Sequence, residues 1–489
     1  MVAERPLMCT VHIVETKSSR ALLTVVVLCF GGMSVSLTQT LVIPIQGELP
    51  SLLGTSVANA GWVVTITLLA AAVVMPISGR LGDMFGKPRV IITSAGVLVV
   101  GSVVCAMSDS LAPMLAGRAL QGLAMGFIPV SIALVREVVP AEMANTAIAA
   151  ISATLGVGGA IGLPLSAWVA QTFDWHALFW MSAILAALLL VLVLTLVPKV
   201  QGAAGGRLDL GGALGLAVGL VAVLVGVSKG NEWGWTDTRT VGALVGGVVV
   251  LLLWGAFELR QAAPLVDLRV SARRPVLLTN LAAVAIGFGM MAQSIVVPQL
   301  LQLPESTGHG LGQTMLQAGL WMAPGGLVMM AFAPVSSRLM TAFGAKRTLM
   351  VGAAVLGVGY LVAFFLMNAP WQLLIASMVA CAGVGIGYAA MPTLIMVSVP
   401  RNEAGSAVGV NGLMRSVGTT TAAAVMATVL SGSVGAAGVP SRGAYELCFL
   451  IGAIAAFVGV AITALVPHLH TRATAGTGER ATVAVEAGA

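Results

Sequence analysis

The chain has 489 residues, of which 58% are hydrophobic and 9% charged, with a formal net charge of +6 and a mean hydropathy of +1.01. Soluble domains of this length carry about a quarter charged residues, so a set of soluble domains is excluded. Apolar runs long enough to cross a hydrocarbon core of about 30 Å follow one another, and no alternating pattern suggests a barrel. The expected fold class is an all-α polytopic membrane protein.

In chain order, a polar tail at 1–20 precedes the first apolar run. Further spans follow it and no small-residue cleavage site is evident, so it reads as a first transmembrane helix and not a signal peptide. Six segments, near 21–44, 57–79, 89–107, 112–135, 144–170 and 176–197, make up a unit at 21–198. Pro198 and the Gly/Ala-rich stretch Lys199 to Arg207 break the pattern. Two further spans, near 209–228 and 240–257, lie within 199–275; Gly211, Gly215 and Gly219 give the first of them a close-packing stripe. Six more, near 276–300, 314–335, 347–367, 371–397, 405–430 and 444–466, fill 276–466, and a polar tail occupies 467–489. The expectation is fourteen transmembrane helices: two six-helix bundles and an inserted pair.

An internal repeat supports that division. The stretch Gly79 to Arg89 (GRLGDMFGKPR) sits between the second and third segments, and Ser337 to Arg347 (SRLMTAFGAKR) repeats its Arg, Leu, Phe, Gly and Arg at an offset of 258 residues. Pro140 to Ala147 (PAEMANTA) resembles Pro400 to Ala407 (PRNEAGSA) at an offset of 260. Two nearly equal offsets indicate duplicated halves in parallel orientation, a transporter architecture with its site between the halves.

Placement of charge decides what the basic balance means. Nineteen of the 24 Lys and Arg fall in the tails or alternate loops, against three (Lys229, Arg239, Arg442) in the other loops. This asymmetry puts both termini in the cytoplasm and the protein in the cytoplasmic membrane, with the lipid bilayer and not nucleic acid as its charged partner. Five scattered cysteines indicate neither a disulfide framework nor a metal site. The histidines (12, 176, 309, 468 and 470) lie in tails or loops, and no phosphate-binding glycine loop is present, so ATP-driven transport and enzymatic chemistry are disfavoured. No cofactor, no metal and no obligatory protein partner are expected. An ion gradient is the expected energy source.

Several stretches resemble the major facilitator superfamily, and within it the fourteen-span drug:proton antiporters, over about 21–466. Gly79, Leu81, Asp83, Gly86, Lys87 and Arg89 match the family motif between the second and third helices. Arg118, Gln121, Gly122 and Gly126 (RALQGLAMG) match its fourth-helix motif. Pro298, Gln299 and Gln302, then Ala318, Gly319 and Pro324, and Asn411, Arg415 and Gly418 resemble segments of the fourteen-span branch. Two departures stand out. Gly158 and Gly162 keep the fifth-helix glycine spacing, but Leu163-Pro164-Leu165-Ser166-Ala167 replaces the rest of that pattern. The first helix reads Leu37-Thr38-Gln39-Thr40 where the branch carries an acid.

From these residues Gly79, Asp83, Gly86, Lys87 and Arg89 are expected to form a conformational latch, against the plain reading of Asp83 as a solvated charge or helix cap. Arg118, costly inside a span, is the proton-coupling candidate implied by the resemblance; a buried arginine satisfied by carbonyls is the alternative. Thr38, Gln39, Gln121, Asn280, Gln293, Gln299, Gln302 and Asn411, read as mid-span, and Arg415, read as near the cytoplasmic side, are pathway candidates. Each of the eight mid-span residues taken alone reads first as glue between helices, and Arg415 as a snorkelling side chain. Gly122, Gly126, Gly158 and Gly162 are expected packing glycines. Met290, Met291, Met329 and Met330 suggest an adaptable apolar wall, and Trp62, Trp168, Trp175 and Trp371 suggest interfacial anchors.

The function expected is a secondary active exporter of a small apolar or amphipathic compound, a drug, antibiotic or metabolite, working by alternating access and coupled to protons. A uniporter or importer without antiport is the rival within transport. A membrane-embedded enzyme or receptor is the rival from another class.

Overall fold

A computed structural model of the chain describes residues 7–43, 45–198, 200, 208–433 and 439–467. Apart from Val200 and Pro467, the expected linker at Lys199 to Arg207 and the tail at 467–489 lie outside these residues, as do residues 1–6. All long elements are α-helices. Numbered in chain order, with brief interruptions ignored, they are α1 (Leu7–Thr40), α2 (Trp62–Phe85), α3 (Lys87–Ala106), α4 (Leu111–Val138), α5 (Ala141–Thr172), α6 (His176–Leu196), α7 (Leu210–Trp233) and α8 (Thr238–Glu258). After them come α9 (Arg274–Gln302), α10 (Met315–Ala331), α11 (Ala333–Phe365), α12 (Pro370–Ser398), α13 (Ala404–Gly432) and α14 (Arg442–Ala464).

Local chemistry sets the boundaries. Gly86, at φ 98° and ψ 128°, ends α2, a conformation that a side chain would resist, and Pro88 occupies the first turn of α3, where a missing N–H costs nothing. Asp209 and Asp237 cap α7 and α8 through backbone N–H groups, Ser441 caps α14, and Thr314 with Gln317 forms a capping box at α10. Several boundaries differ from expectation: α2 runs from Trp62 to Phe85 where 57–79 is expected, and α11 begins at Ala333 where 347 is expected. The first helix reaches back to Leu7 and not to Ala21, because no glycine or proline stops it before Arg20.

Among the described residues, thirteen segments are long and apolar enough to cross a membrane, where fourteen were expected. The difference falls at one place. Met315–Phe365 is a single stretch of 51 residues covering two expected segments, and within it Gly344 departs from helical geometry at φ 81° and ψ 160°. Gly344 occupies the position in the second half that Gly86 occupies in the first, and both have positive φ.

Helices α1 to α6 pack among themselves, as do α9 to α14. The two sets meet along two seams, α2 against α13 and α5 against α10 and α11. The second helix of each half thus packs on the fifth helix of the other, the exchange that a parallel duplication produces. At one seam a Cβ on Gly409 would come 2.9 Å from Cα of Pro76, and at the other a Cβ on Gly319 would come 3.3 Å from the Pro164 nitrogen. The inserted α7 and α8 pack on each other, with Gly211, Gly215 and Gly219 set against Phe257, Trp254 and Leu251. Helix α7 then lies over the α2–α13 seam, where Leu216, Leu220 and Leu224 join Leu69, Ala72, Val410 and Leu413 in one apolar cluster. At the far end of α7, Lys229 pairs with Glu232 at 2.7 Å and sits 5.2 Å over the Trp62 ring.

Candidate functional site: the seam between the bundles

The charged turn after α2 is built into the α2–α13 seam. Asp83 is 5% exposed, and its carboxylate accepts hydrogen bonds from the backbone N–H groups of Gly405 at 3.1 Å and Ser406 at 2.8 Å. Those are first-turn amides of α13, which have no intrahelical acceptor and sit at the positive end of the helix dipole. A carboxylate placed there satisfies two orphan donors and is itself stabilised. Lys87, one turn further on, lies 3.3 Å from Asp83 and donates to Glu137, at the end of α4, at 2.5 Å. Arg89 donates to the Phe85 carbonyl at 3.3 Å and holds the turn itself. The approach needs glycine on both sides: a Cβ on Gly79 would sit 2.6 Å from the Gly405 carbonyl carbon, and one on Gly405 would sit 2.6 Å from Asp83 Oδ1.

The other seam has the same layout without the charge. Ser337 and Thr146, counterparts of Gly79 and Ser406 in the repeat, share a hydrogen bond of 2.7 Å across α11 and α5. Thr341, counterpart of Asp83, donates to the Ser337 carbonyl on its own helix. Among the described residues, the clamp of Asp83 on α13 has no ionic counterpart at the other seam. Beside that clamp, burial and then Asp267 push the Glu403 carboxyl up from the ordinary carboxylate range, and Arg80 and Arg273 oppose them.

Arg118 is fully buried. It donates to the carbonyls of Val63 at 3.1 Å and Thr38 at 2.9 Å and to Gln121 Oε1 at 2.7 Å, while its Nη2 has no partner among the described residues. Gln121 continues the chain to Ser102 at 3.0 Å, and Ser102 to Ser182 at 2.8 Å. These partners are neutral, so this guanidinium ties α1, α2 and α4 together and leaves the two N–H groups of Nη2 unused among the described residues. Replacing Arg118 by lysine is expected to lower the thermal midpoint and transport together, because one ammonium cannot span three acceptors in a fixed fork. Unchanged melting and transport in the lysine variant would contradict this arrangement.

The remaining candidates separate. Thr38 is buried and supplies its carbonyl to Arg118, and Gln39 beside it is half-buried. Asn411 donates to Asn280 Oδ1 at 3.0 Å, joining α13 to α9. Gln293 lines a small crevice inside the second bundle with Tyr360, Ser377 and Phe449, and not a space between the bundles. Gln299 and Gln302 are exposed in the last turn of α9, which corrects their reading as mid-span residues: the helix stops at Gln302. Arg415 lies eleven residues into α13, about 16 Å of helical rise from its start. It is 9% exposed and stacks 4.4 Å from the Tyr388 ring centre, a neutral way to hold a buried cation.

Gly122, Gly126 and Gly158 face neighbouring helices: a Cβ there would meet Ala70 at 2.7 Å, Ser78 at 2.6 Å and Ser36 at 2.6 Å respectively. Gly162 abuts Thr40 in the same way. The four methionines do not form one wall: Met329 is buried against Gly156 and Gly385 at the α5–α10 seam, whereas Met330 is 49% exposed. Trp168 and Trp371 are exposed, and Trp175 stacks on His176 with ring centres 3.7 Å apart. For the asparagine pair, alanine at either position is expected to lower stability and the double variant to cost less than the sum. A coupling of about 0.6 to 1.7 kcal/mol is expected from a double-mutant cycle on thermal unfolding; strict additivity would show that the bond contributes nothing.

Sequence reasoning missed two things here. The donor role of the α13 N-terminus was not read, although the Pro400 to Ala407 repeat marked the place. Asp209 and Glu258 were passed over, and the only signal for them was two acids flanking the inserted helices.

Two six-helix sets exchanging second and fifth helices, with an ion clamp across one seam, define a polytopic membrane transporter. A sequence profile of the Major Facilitator Superfamily matches residues 28–423, and the chain belongs to that family, whose members are transporters and not enzymes. Multidrug resistance protein Stp of Mycobacterium tuberculosis is 26% identical over 373 residues, 76% of this chain and 68% of that protein. The probable actinorhodin transporter of Streptomyces coelicolor is 26% identical over 399 residues, 78% of this chain and 68% of that protein. Among solved structures, the human organic anion transporter MFSD10 superposes with a TM-score of 0.64 at 16% identity, covering 91% of this chain and 99% of that one, which shows the shared fold.

Proposed function

We propose that this protein is a secondary active exporter of a small apolar or amphipathic compound, a drug, antibiotic or secondary metabolite. It works in the cytoplasmic membrane, with both termini in the cytoplasm, by rocking the two six-helix bundles. The observation that carries this reading is the Asp83 clamp on the first turn of α13. It is a reversible ionic contact at one end of the seam between two bundles, which is what alternating access requires. The direction and substrate class rest on the similarity to a multidrug resistance protein and to an antibiotic transporter. The 51-residue stretch is read as two crossings that turn at Gly344, giving fourteen in all. The driving force is a proton gradient, with no cofactor, no ATP and no obligatory protein partner.

The test compares accumulation of, and susceptibility to, a compound panel in cells with the gene deleted and overexpressed. Lower accumulation on overexpression, abolished by a protonophore, is expected. Energy-dependent uptake without efflux would overturn export. A second reading, uniport without protons, is favoured by one observation: the hydrogen-bond partners of Arg118 among the described residues are neutral. Proton movement in proteoliposomes on substrate addition separates the two, since antiport moves protons opposite to the compound and uniport moves none.

A further inference from the structure

Asp209 stands just before α7 and Glu258 closes α8, so the inserted pair brings both acids to one end. Each carboxylate leaves one oxygen without a hydrogen bond among the described residues, and Glu258 is held by the backbone N–H groups of Val266 and Leu265. Asp209 Oδ1 accepts from the Gly212 N–H at 2.7 Å and caps α7, and Glu258 Oε2 accepts from the Leu265 N–H at 3.2 Å. The other two oxygens, Asp209 Oδ2 and Glu258 Oε1, are buried and have no hydrogen-bond partner among the described residues. They crowd the same point: a Cβ on Gly212 would lie 2.6 Å from the first and 2.7 Å from the second. Glu258 is 2% exposed. Two ionised carboxylates that face one point in this way, with both facing oxygens buried and unsatisfied, repel each other. One proton between them turns the repulsion into a strong hydrogen bond.

We propose that Asp209 and Glu258 form a proton-binding site in the inserted helices, holding one proton between Oδ2 and Oε1 and setting the tension on the clamp of α13. The link is continuous. Glu258 holds the Leu265 N–H, the Leu265 carbonyl accepts from Ser406 Oγ at 3.3 Å, and the Ser406 N–H is held by Asp83 at 2.8 Å. With the proton bound, the pair carries a single negative charge and the strap at Leu265 stays seated. When the proton leaves to water, the two carboxylates repel, Glu258 withdraws from Leu265, and Ser406 loses a support beside Asp83. The charged groups facing the site come from several elements. Arg80 of α2 acts electrostatically on Glu258, the Arg269 guanidinium donates to the Leu259 carbonyl at 3.1 Å, and Asp267 caps the short helix Leu268–Ser271. From the α13 side Glu403 faces Asp267, Arg80, Arg273 and Asp83.

Proton binding here is independent of the export reading; only its effect on transport rests on that reading. The test is a pH titration of the full-length protein in lipid nanodiscs, without substrate, followed by the infrared C=O stretch of protonated carboxyl groups. The wild type is expected to show a carboxyl band that vanishes at alkaline pH, and both Glu258→Gln and Asp209→Asn are expected to lack it. Asparagine still caps α7, so the second variant remains folded if the first does not. Spin labels at exposed Phe85 and Asn402 report the clamp in the same samples. Their separation is expected to widen with pH in the wild type and to be independent of pH in Glu258→Gln. A titrating band retained in both variants would overturn the site, as would a response to added sodium or calcium at fixed pH, which would assign the pair to a metal cation. A band that titrates without any change in separation would overturn the link to the clamp.

Discussion

Asp83→Asn is expected to lower transport about ten- to hundredfold at matched membrane abundance, whereas Thr341→Asn leaves it unchanged. The two positions correspond in the repeat, but only Asp83 receives backbone donors from the opposite bundle. Asparagine has nearly the same shape, so packing survives. What it loses is the charge that favours the α13 N-terminus and Lys87, and one of its two termini becomes an N–H₂ group facing an N–H donor. Hydrogen bonds to charged groups contribute a net of about 1.5 to 3 kcal/mol, and about 1.4 kcal/mol is tenfold in an equilibrium. The conformer with this seam closed would therefore be depopulated to that extent, and a cycle that must pass through it slows accordingly. Substrate flux in proteoliposomes with quantified protein is the measurement. Equal flux for both asparagine variants would remove the clamp from the mechanism.

Gly405→Ala is expected to be nearly as damaging, for a steric reason. The added methyl would sit 2.6 Å from Asp83 Oδ1 and 2.7 Å from the Gly79 carbonyl oxygen. One of those neighbours is backbone and cannot rotate away, so α2 and α13 must part. Overpacking of this kind costs about 1 to 3 kcal/mol, and here the cost falls on the closed seam and not on the fold as a whole. The comparison variant is Gly159→Ala in α5, where a Cβ meets nothing within 4 Å. Flux close to background for Gly405→Ala and close to wild type for Gly159→Ala is expected. Equal flux in the two would show that the seam tolerates separation.

Much of the architecture was legible because membrane helices must be long, apolar and internally hydrogen-bonded, and because the two halves repeat. The turn at Gly79 to Arg89, its weakened copy, and the stripe Gly211, Gly215 and Gly219 all carry their meaning in local spacing. Asp83 was legible as important but not as a partner of α13. Its acceptors' donors are backbone N–H groups more than 320 positions away, and an amide leaves no trace in residue identity. Asp209 and Glu258 look like ordinary acids at helix ends until α7 and α8 are packed together through their glycines. Gln299 and Gln302 were assigned mid-span because the apolar run before them hides where the helix stops.

The most direct test of the clamp is a distance measurement on the intact protein. Spin labels at Phe85 and Asn402, both exposed at the ends of the paired elements, read the separation of α2 from the start of α13 in lipid nanodiscs. A short, narrow distance distribution is expected for the wild type, with a second, longer population appearing in Asp83→Asn and not in Thr341→Asn. An unchanged distribution in Asp83→Asn, alongside lost transport, would contradict the account: Asp83 would then act on substrate or ion, and not by holding the two bundles together.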